Sequence, residues 1–200
     1  MSNIVKEFES RIMLTSDEYL NIVSFYLKLY PNKHFLQNVN YYFDNDDLFL
    51  RKSHVTLRIR TINDVKCELT AKIKGDNGDQ EINDNITLKE MDSLLKDGIF
   101  PIGNVKQYLL SLSCPLSSYR NIAVLYNRRL EIEQDDYLLV IDKNTYSDIT
   151  DYNLEIEASN IEQAKEVLKE YIKKFNLSLV EQNYLGKASR AIKAALKVTN

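Results

Sequence analysis

VTLRIRTI, residues Val55–Ile62, and KCELTAKIK, residues 66–74, alternate apolar with polar side chains along their whole length. Successive side chains of a β-strand point to opposite faces, so each stretch has one apolar face and one ionic face. Arg58 and Arg60 share the ionic face of the first stretch. The polar residues 63–64 join the two stretches, and this pattern predicts an antiparallel hairpin.

Like charges two positions apart recur far from this hairpin. Glu7 and Glu9 form one pair, with Arg11 next in the same register, and Glu155 and Glu157 form another. A single ionic face is best explained as the solvated side of a sheet. Doubling of one sign costs repulsion unless a counter-ion compensates. Carboxylate pairs suit divalent cations and arginine pairs suit a polyanion, so the combination favours phosphoryl-transfer chemistry.

The rest of the chain predicts seven or eight strands and three or four helices. Helical patterns fall at about 16–30, 87–96 and 161–175 and again from about 187. The periodicity does not decide between a sandwich, whose ionic faces would meet bulk water, and a barrel, whose ionic faces would converge inside. The sandwich would leave an interaction protein of unknown partner.

Composition excludes several classes of protein. With 200 residues, 44% of them apolar, the chain suits one domain spanning 1–200 rather than a disordered protein. A net charge of −3 provides no general attraction for nucleic acid or an anionic membrane, and no apolar run approaches the roughly 20 residues of a membrane span. We therefore expect neither partner.

The cysteines and the N-terminus indicate a cellular address. Cys67 and Cys114 show no C-x-x-C spacing, and charged residues follow the first residues without an apolar signal segment. The expected location is the reducing cytoplasm. Cys67 lies on the apolar face of its strand and is interpreted as a buried structural residue.

The segment EFESR at residues 7–11 resembles the E-x-E-x-K signature of the CYTH superfamily, the triphosphate tunnel metalloenzymes. Further segments match the family's motifs in the same order: YYFD (41–44), LRIR (57–60), ELTAK (68–72), RR (128–129), VID (140–142), NLEIE (153–157) and GKASR (186–190). The pattern is most similar to the small single-domain bacterial members.

This resemblance implies a mainly β (α+β) fold, an eight-stranded antiparallel β-barrel that forms a tunnel with covering helices. It implies a triphosphate-containing small molecule as ligand, Mg²⁺ or Mn²⁺ as cofactor, and a monomer or homodimer. The expected metal ligands are Glu7, Glu9, Asp142, Glu155 and Glu157. The expected substrate-binding residues are Arg58, Arg60, Lys72, Arg128, Lys187 and Arg190, with Lys74 as a second-rank candidate. The expected catalytic residues are Glu7, Glu9, Arg11, Lys72 and Glu81.

Some of these positions leave an alternative open. Arg128 is preferred as the tunnel residue of its strand, but the other phasing would place Arg129 there. Arg11 replaces the lysine of the family signature; it keeps the charge but cannot easily act as an acid. For Glu81, a surface charge beside a loop is an equally good interpretation. His54 has no partner at a metal-binding spacing and is interpreted as a loop or strand-end residue.

The expected function is metal-dependent hydrolysis of inorganic tripolyphosphate or another linear triphosphate. One branch of the family implies an alternative, class IV-type adenylate cyclase, although the sequence shows no evident adenine-reading pocket and cyclisation makes a stricter demand on substrate placement. A second alternative is a non-catalytic polyphosphate- or nucleotide-binding module, which the arginine at position 11 favours.

Overall fold

A computed structural model describes residues 4–75, 78–112, 115–179 and 185–198, with the side chains of 4–7 and 198 left aside. Within these residues the chain forms eight strands: β1 (Ile4–Leu14), β2 (Leu36–Asp44), β3 (Val55–Ile62), β4 (Lys66–Ile73), β5 (Asp79–Ile86), β6 (Arg120–Glu133), β7 (Tyr137–Tyr146) and β8 (Ile149–Ala158). The α-helices are α1 (Ser16–Leu29), α2 (Phe49–Lys52), α3 (Leu88–Asp97), α4 (Asn104–Ser111), α5 (Ile161–Phe175) and α6 (Lys187–Val198).

The eight strands close into an antiparallel barrel in the order β1-β5-β4-β3-β2-β6-β7-β8. The long strand β1 completes the ring, because Ile4 to Glu7 pair with β5 and the remainder of the strand pairs with β8. The predicted hairpin of β3 and β4 forms, with Val55 opposite Ile73. The expected barrel is therefore confirmed and the sandwich is excluded.

Helices cover the apolar outer face of the barrel. Outward side chains of β1, β6, β7 and β8, such as Ile12 and Leu154, pack beneath α1 and α5. Those of β2 to β5, such as Leu57 and Leu69, pack beneath α2, α3 and α4. Because the apolar faces point outward to the helices, the ionic faces of the same strands point into the barrel.

Local capping explains where two of the covering helices begin. Thr15 accepts a hydrogen bond from the backbone N–H of Glu18, whose side chain accepts one from the N–H of Thr15. Thr87 and Glu90 form the same reciprocal capping box at the start of α3. The polar segments before each helix therefore fix its first turn, as the sequence pattern predicts.

The last helix, α6, packs on inward-facing rather than outward-facing side chains. Ala191 and Ile192 belong to a small apolar cluster with Tyr42 of β2, Leu125 of β6 and Tyr146 of β7. This packing brings the first turn of α6 to the barrel interior, where its first residue, a lysine, lines the cavity.

Cys67 is a buried free thiol, as its strand position indicates, whereas Cys114 lies outside the described residues. In the part of the chain that the structure describes, no helix combines the length and apolar character needed to cross a membrane.

Candidate active site in the barrel interior

The barrel encloses a polar cavity of about 510 Å³. The described side chains that line it include seven basic residues, namely Arg11, Arg58, Arg60, Lys72, Lys74, Arg129 and Lys187. They also include six acidic residues, namely Glu9, Glu68, Asp79, Glu81, Glu155 and Glu157. The ionic strand faces thus converge in one enclosed space, where opposite charges compensate the doubled like charges.

Three of the carboxylates form a cluster where β1 pairs with β8. Glu9 lies opposite Glu157 in the strand register, and Glu155 lies opposite Arg11. One oxygen from each of Glu9, Glu155 and Glu157 lies within 4.8 Å of the other two. Carboxylate oxygens are the ligand atoms that Mg²⁺ and Mn²⁺ prefer.

Glu155 supplies an independent sign that this cluster can accept a ligand. Its side chain is 1% exposed, and its Oε1 atom accepts no hydrogen bond from any residue that the structure describes. A buried carboxylate oxygen without a hydrogen bond is costly unless another group occupies its lone pairs. The donor set therefore fits a hard divalent cation.

Arg11 is a cation that lies against this cluster. It donates a hydrogen bond from Nη2 to Glu9 Oε1, and its Nε lies 3.2 Å from Glu155 Oε1. Burial alone would lower the pKa of Arg11, but the charges of Glu155 and Glu9 outweigh it and raise the pKa. Arg11 is therefore a permanent cation at this site rather than a proton donor.

The basic side chains that line the cavity form a cationic wall, which includes Arg58 and Arg60 of β3. Arg60 donates from Nε to Asn40 Oδ1 at 2.9 Å, and Arg58 donates from Nη2 to Thr70 Oγ1 at 3.4 Å. The buried Nε of Arg58 has no hydrogen-bond partner among the described residues. Burial, with the nearby charges of Arg58 and Arg129, lowers the pKa of Arg60 to about 10. These guanidinium groups repel one another, so the wall favours an anion.

Lys72 extends the cationic wall along β4. Its Nζ lies 3.5 Å from Asp79 Oδ2 and 3.5 Å from Glu81 Oε1. Glu81 is 6% exposed and lines the cavity, so it is a tunnel residue rather than a surface charge beside a loop. The catalytic role expected of Glu81 remains a prediction.

A buried network of ion pairs and hydrogen bonds holds part of the cavity lining in place. Asp142 is 0% exposed and binds Arg129 through both of its oxygens, each at 3.0 Å. It also accepts hydrogen bonds from Lys187 Nζ at 2.7 Å and from Asn127 Nδ2 at 2.8 Å. Lys187 reaches on to Glu155 Oε2 at 2.6 Å. The network therefore fixes two cations of the cavity wall.

A family model for the CYTH domain matches residues 6–184 of the chain. The protein belongs to the CYTH domain family. It is 32% identical over 171 residues to a Bacillus subtilis (strain 168) protein described as "Putative triphosphatase YjbK", and the match covers 86% of this chain and 87% of that protein.

Solved structures share the CYTH fold over nearly the whole chain. A crystal structure from Bacillus halodurans, described as a "putative adenylate cyclase", has a TM-score of 0.83 and 29% identity and covers 94% of this chain and 97% of its own. The Hippeastrum protein HpAC1, described as having a dominant triphosphatase activity, has a TM-score of 0.75 and covers 97% of this chain and 96% of its own. At 19% identity, that second likeness concerns the fold alone.

Most residues expected from the CYTH motifs come together in the cavity. The lining contains Glu9, Arg11, Arg58, Arg60, Lys72, Lys74, Glu81, Glu155, Glu157 and Lys187. The side chain of Glu7 lies outside the described part of the structure. Asp142 is not in the carboxylate cluster of the described residues, and Arg129, Lys187 and Asn127 bind its oxygens. Its role as a metal ligand remains a prediction.

The expected tunnel position of Arg128 is wrong. Its guanidinium carbon lies 3.6 Å from the centre of the Phe35 ring on the outer face, and Arg129 points into the cavity instead. Leu130 and Ile132, which share the face of Arg128, pack in the outer apolar cluster. Their alternation was the sequence signal that could have fixed the phase of this strand.

The expected contact of Arg190 with substrate is also not supported. Arg190 is 4% exposed and does not belong to the described lining of the cavity. It donates to both carboxylate oxygens of Asp151 at 2.8 and 3.1 Å, and to the carbonyl oxygen of Leu185 at 2.7 Å. Its bonds attach α6 to β8, so it positions the helix that carries Lys187.

Sequence reasoning missed several cavity residues. Tyr42 and Thr70 line the cavity as inward-facing members of their strands, a position that alternation could have predicted. His54, interpreted as a loop or strand-end residue, is exposed at the edge of the same cavity. Gly186 also lines it, and a Cβ atom there would lie 3.2 Å from Arg11 Nη1. No spacing rule signals the position of His54, whereas Gly186 begins the GKASR segment (186–190) that resembles a family motif.

Proposed function

We propose that the protein is a metal-dependent hydrolase of linear triphosphates, with inorganic tripolyphosphate as the simplest substrate. The observation that carries the proposal is the shared cavity in which a three-carboxylate cluster and a wall of arginine and lysine side chains occur together. Members of the CYTH family are enzymes, and the similarity to a Bacillus subtilis protein described as a triphosphatase supports this reaction class.

Glu9, Glu155 and Glu157 would hold the divalent cation, with Glu7 as a further expected ligand. CYTH triphosphatases depend on metal in general, and Mg²⁺ or Mn²⁺ suits this all-carboxylate site. When bound, such an ion neutralises phosphate oxygens and lowers the pKa of an attacking water.

The cationic wall would bind and orient the triphosphate. Arg58 and Arg60 line the cavity and present planar guanidinium groups that can make paired contacts with phosphate oxygens. Lys72 and Lys187 add point charges along the same cavity. The carboxylates and the cations together would therefore fix an extended polyanion in one orientation.

The reaction needs no covalent intermediate. The oxygen of water forms a bond to the terminal phosphorus and releases a proton to solvent, and the anhydride P–O bond breaks with its electron pair leaving on the diphosphate. The arginines and lysines of the wall stabilise the negative charge that develops on the transferred and leaving groups. Arg11 retains its proton throughout, because a guanidinium group does not deprotonate at neutral pH.

Phosphate release from tripolyphosphate, measured with and without Mg²⁺ or Mn²⁺, tests the proposal. Glu9→Gln and Arg58→Ala should each reduce turnover by about 100-fold or more, because each removes a charge that faces the reacting groups. Glu133→Gln and Arg51→Ala change exposed residues and serve as matched controls. Full activity in both cavity variants would refute the proposal, and tight tripolyphosphate binding without turnover under saturating Mn²⁺ would indicate a binding module instead.

Adenylate cyclase activity is the second candidate, favoured by the likeness to the Bacillus halodurans structure described as a cyclase. Cyclisation requires the ribose 3′-hydroxyl to lie in line with the α-phosphate, whereas hydrolysis requires only a positioned water. Incubation with ATP separates the two reactions. A hydrolase releases phosphate, and a cyclase produces cyclic AMP and diphosphate.

A further inference from the structure

Three of the described cations neutralise the carboxylate cluster, and they are not held equally. Lys187 and Arg129 both contact Glu155, at 2.6 and 3.6 Å. Both are also bound to the buried Asp142, at 2.7 and 3.0 Å. These two cations keep a buried partner of their own whatever binds at the cluster.

Arg11, the third cation, differs because the contacts that hold it are with the cluster. Within the described structure its hydrogen bond is to Glu9 and its second ion pair is to Glu155, whereas Asp142 is not among its partners. A divalent cation bound between Glu9 and Glu155 would therefore compete directly with the guanidinium for the same oxygens.

The contact between Arg11 and Glu155 is also incomplete. Arg11 Nε lies 3.2 Å from Glu155 Oε1, yet this oxygen accepts no hydrogen bond from the described part of the chain. The guanidinium thus neutralises the charge of a buried carboxylate without satisfying its lone pairs. Such a partner can be exchanged for a cation that coordinates the oxygen.

We propose that Arg11 is an internal counter-cation that a divalent metal must displace from Glu9 and Glu155, so that this side chain sets the metal affinity of the site. The inference rests on the proposed function for its choice of a divalent metal. Arg11, which lies in the charged motif of β1, is then a determinant of metal affinity. Removal of its charge leaves the carboxylates less neutralised and raises their affinity for metal.

Mn²⁺ binding to the protein without substrate tests the inference, with free Mn²⁺ followed by electron paramagnetic resonance. Arg11→Gln removes the charge and keeps a hydrogen-bond donor for Glu9. We expect it to lower the Kd for Mn²⁺ by about tenfold or more, a change that corresponds to about 1.4 kcal/mol. An unchanged or higher Kd in a folded Arg11→Gln protein would overturn the inference.

Lys74→Gln is the matched control. Lys74 lines the same cavity and its substitution changes the net charge by the same amount, but its side chain is exposed and lies outside the described ion pairs of the cluster. We expect its Kd for Mn²⁺ to stay within about threefold of the original value, since exposed charges are screened. An equal effect in both variants would attribute the change to general electrostatics and contradict a displacement of Arg11.

A measurement on the unaltered chain keeps the inference testable if Arg11→Gln fails to fold. Titration with diamagnetic Mg²⁺ should shift the Arg11 Nε–H resonance in a ¹⁵N-resolved NMR spectrum, because that group loses its carboxylate neighbour. The Arg129 Nε–H resonance, held by Asp142, should move much less. An unmoved Arg11 resonance at saturating Mg²⁺ would refute displacement.

These readouts are independent of turnover. A protein that shows tighter Mn²⁺ binding in Arg11→Gln but releases no phosphate from any triphosphate would contradict the proposed function and leave the role of Arg11 standing. If the protein is a metal-dependent triphosphatase but Arg11→Gln leaves its Kd for Mn²⁺ unchanged, the proposed function stands and the role of Arg11 is contradicted.

Discussion

The guanidinium of Arg129 binds both oxygens of Asp142, with Nε and Nη2 each 3.0 Å from a different oxygen. Burial would raise the pKa of Asp142, but Arg129 and Lys187 outweigh it and hold the pKa far below its usual range. Burial alone would likewise lower the pKa of Arg129, but the charges of Asp142 and Glu155 outweigh it and raise that pKa. This ion pair connects Asp142 of β7 to Arg129 of β6, which lines the cavity.

Asp142→Asn should destabilise the protein by about 3 kcal/mol at pH 7, because it leaves Arg129 and Lys187 buried with one counter-charge fewer. Asp142 is more acidic when folded, so its contribution is complete above the unfolded pKa near 4 and is lost as the pH falls towards the folded pKa. The stability difference between the original protein and Asp142→Asn should therefore be constant from about pH 5 to 8 and shrink below about pH 4.

Urea unfolding at about pH 7 and about pH 3.5 measures this difference. Asp135→Asn, in the exposed turn between β6 and β7, is the control and should change stability by less than about 0.5 kcal/mol. A difference for Asp142→Asn that is small at neutral pH, or that grows on acidification, would show that the ion pair does not stabilise the fold.

The alternation of β3 and β4 was sufficient to predict their hairpin and to place Arg58, Arg60 and Lys72 on ionic strand faces. Strand parity is a local property, so a sequence can reveal which side chains share a face. It could not reveal which face would be enclosed, because a barrel and a sandwich impose the same alternation. That choice depended on helices packing against the outer face.

Long-range partners explain the residues whose roles the sequence did not predict. Arg190 lies on α6 one turn after Lys187, but it binds Asp151 of β8, while Lys187 binds Asp142 of β7. Both arrangements depend on how α6 crosses the barrel, and helix periodicity contains no information on that crossing. Asp142 likewise matches the expected motif, but its engagement by Arg129 follows from the register of β6 and β7.

Paired alanine substitutions test the corrected phase of β6. Arg129→Ala should reduce triphosphate turnover by about 100-fold or more, because Arg129 lines the cavity and contacts Asp142 and Glu155. Arg128→Ala should leave turnover within about twofold and cost about 0.5–1 kcal/mol of stability, since it removes the stacking on Phe35 outside the cavity.

Initial rates of phosphate release and thermal unfolding curves, measured on both variants, separate these outcomes. Retained turnover in Arg129→Ala together with lost turnover in Arg128→Ala would reverse the assignment. Since Arg129→Ala also removes a buried counter-charge, its rate should be compared at a temperature where unfolding curves show both variants folded.

Arg60 provides a test of the conflict between stability and anion binding. Its pKa is lowered to about 10 by burial and by the charges of Arg58 and Arg129, so its protonation opposes folding in the absence of an anion. Arg60→Gln removes the charge and retains an amide donor for Asn40 Oδ1. We expect the variant to be more stable than the original protein by about 1–2 kcal/mol at pH 7 in the absence of ligand.

The pH dependence of that gain has a defined sign. Between about pH 10 and the unfolded arginine pKa near 12.5, the unfolded state of the original protein binds more protons than the folded state, so this residue makes stability rise with pH. The advantage of Arg60→Gln should therefore be complete below about pH 9 and decrease above about pH 10. Arg51→Gln, at an exposed position, should show neither effect.

Tripolyphosphate without metal should reverse the order of the two proteins. An anion bound beside Arg60 satisfies the charge that burial penalises, and a ligand that binds only the folded state raises its stability. Thermal unfolding with increasing tripolyphosphate should therefore give a large rise in Tm for the original protein and a much smaller one for Arg60→Gln. Arg60→Gln could instead be less stable than the original protein without ligand and show an equal rise in Tm with tripolyphosphate. That result would show that Arg60 acts through packing, because packing would be lost equally in both conditions.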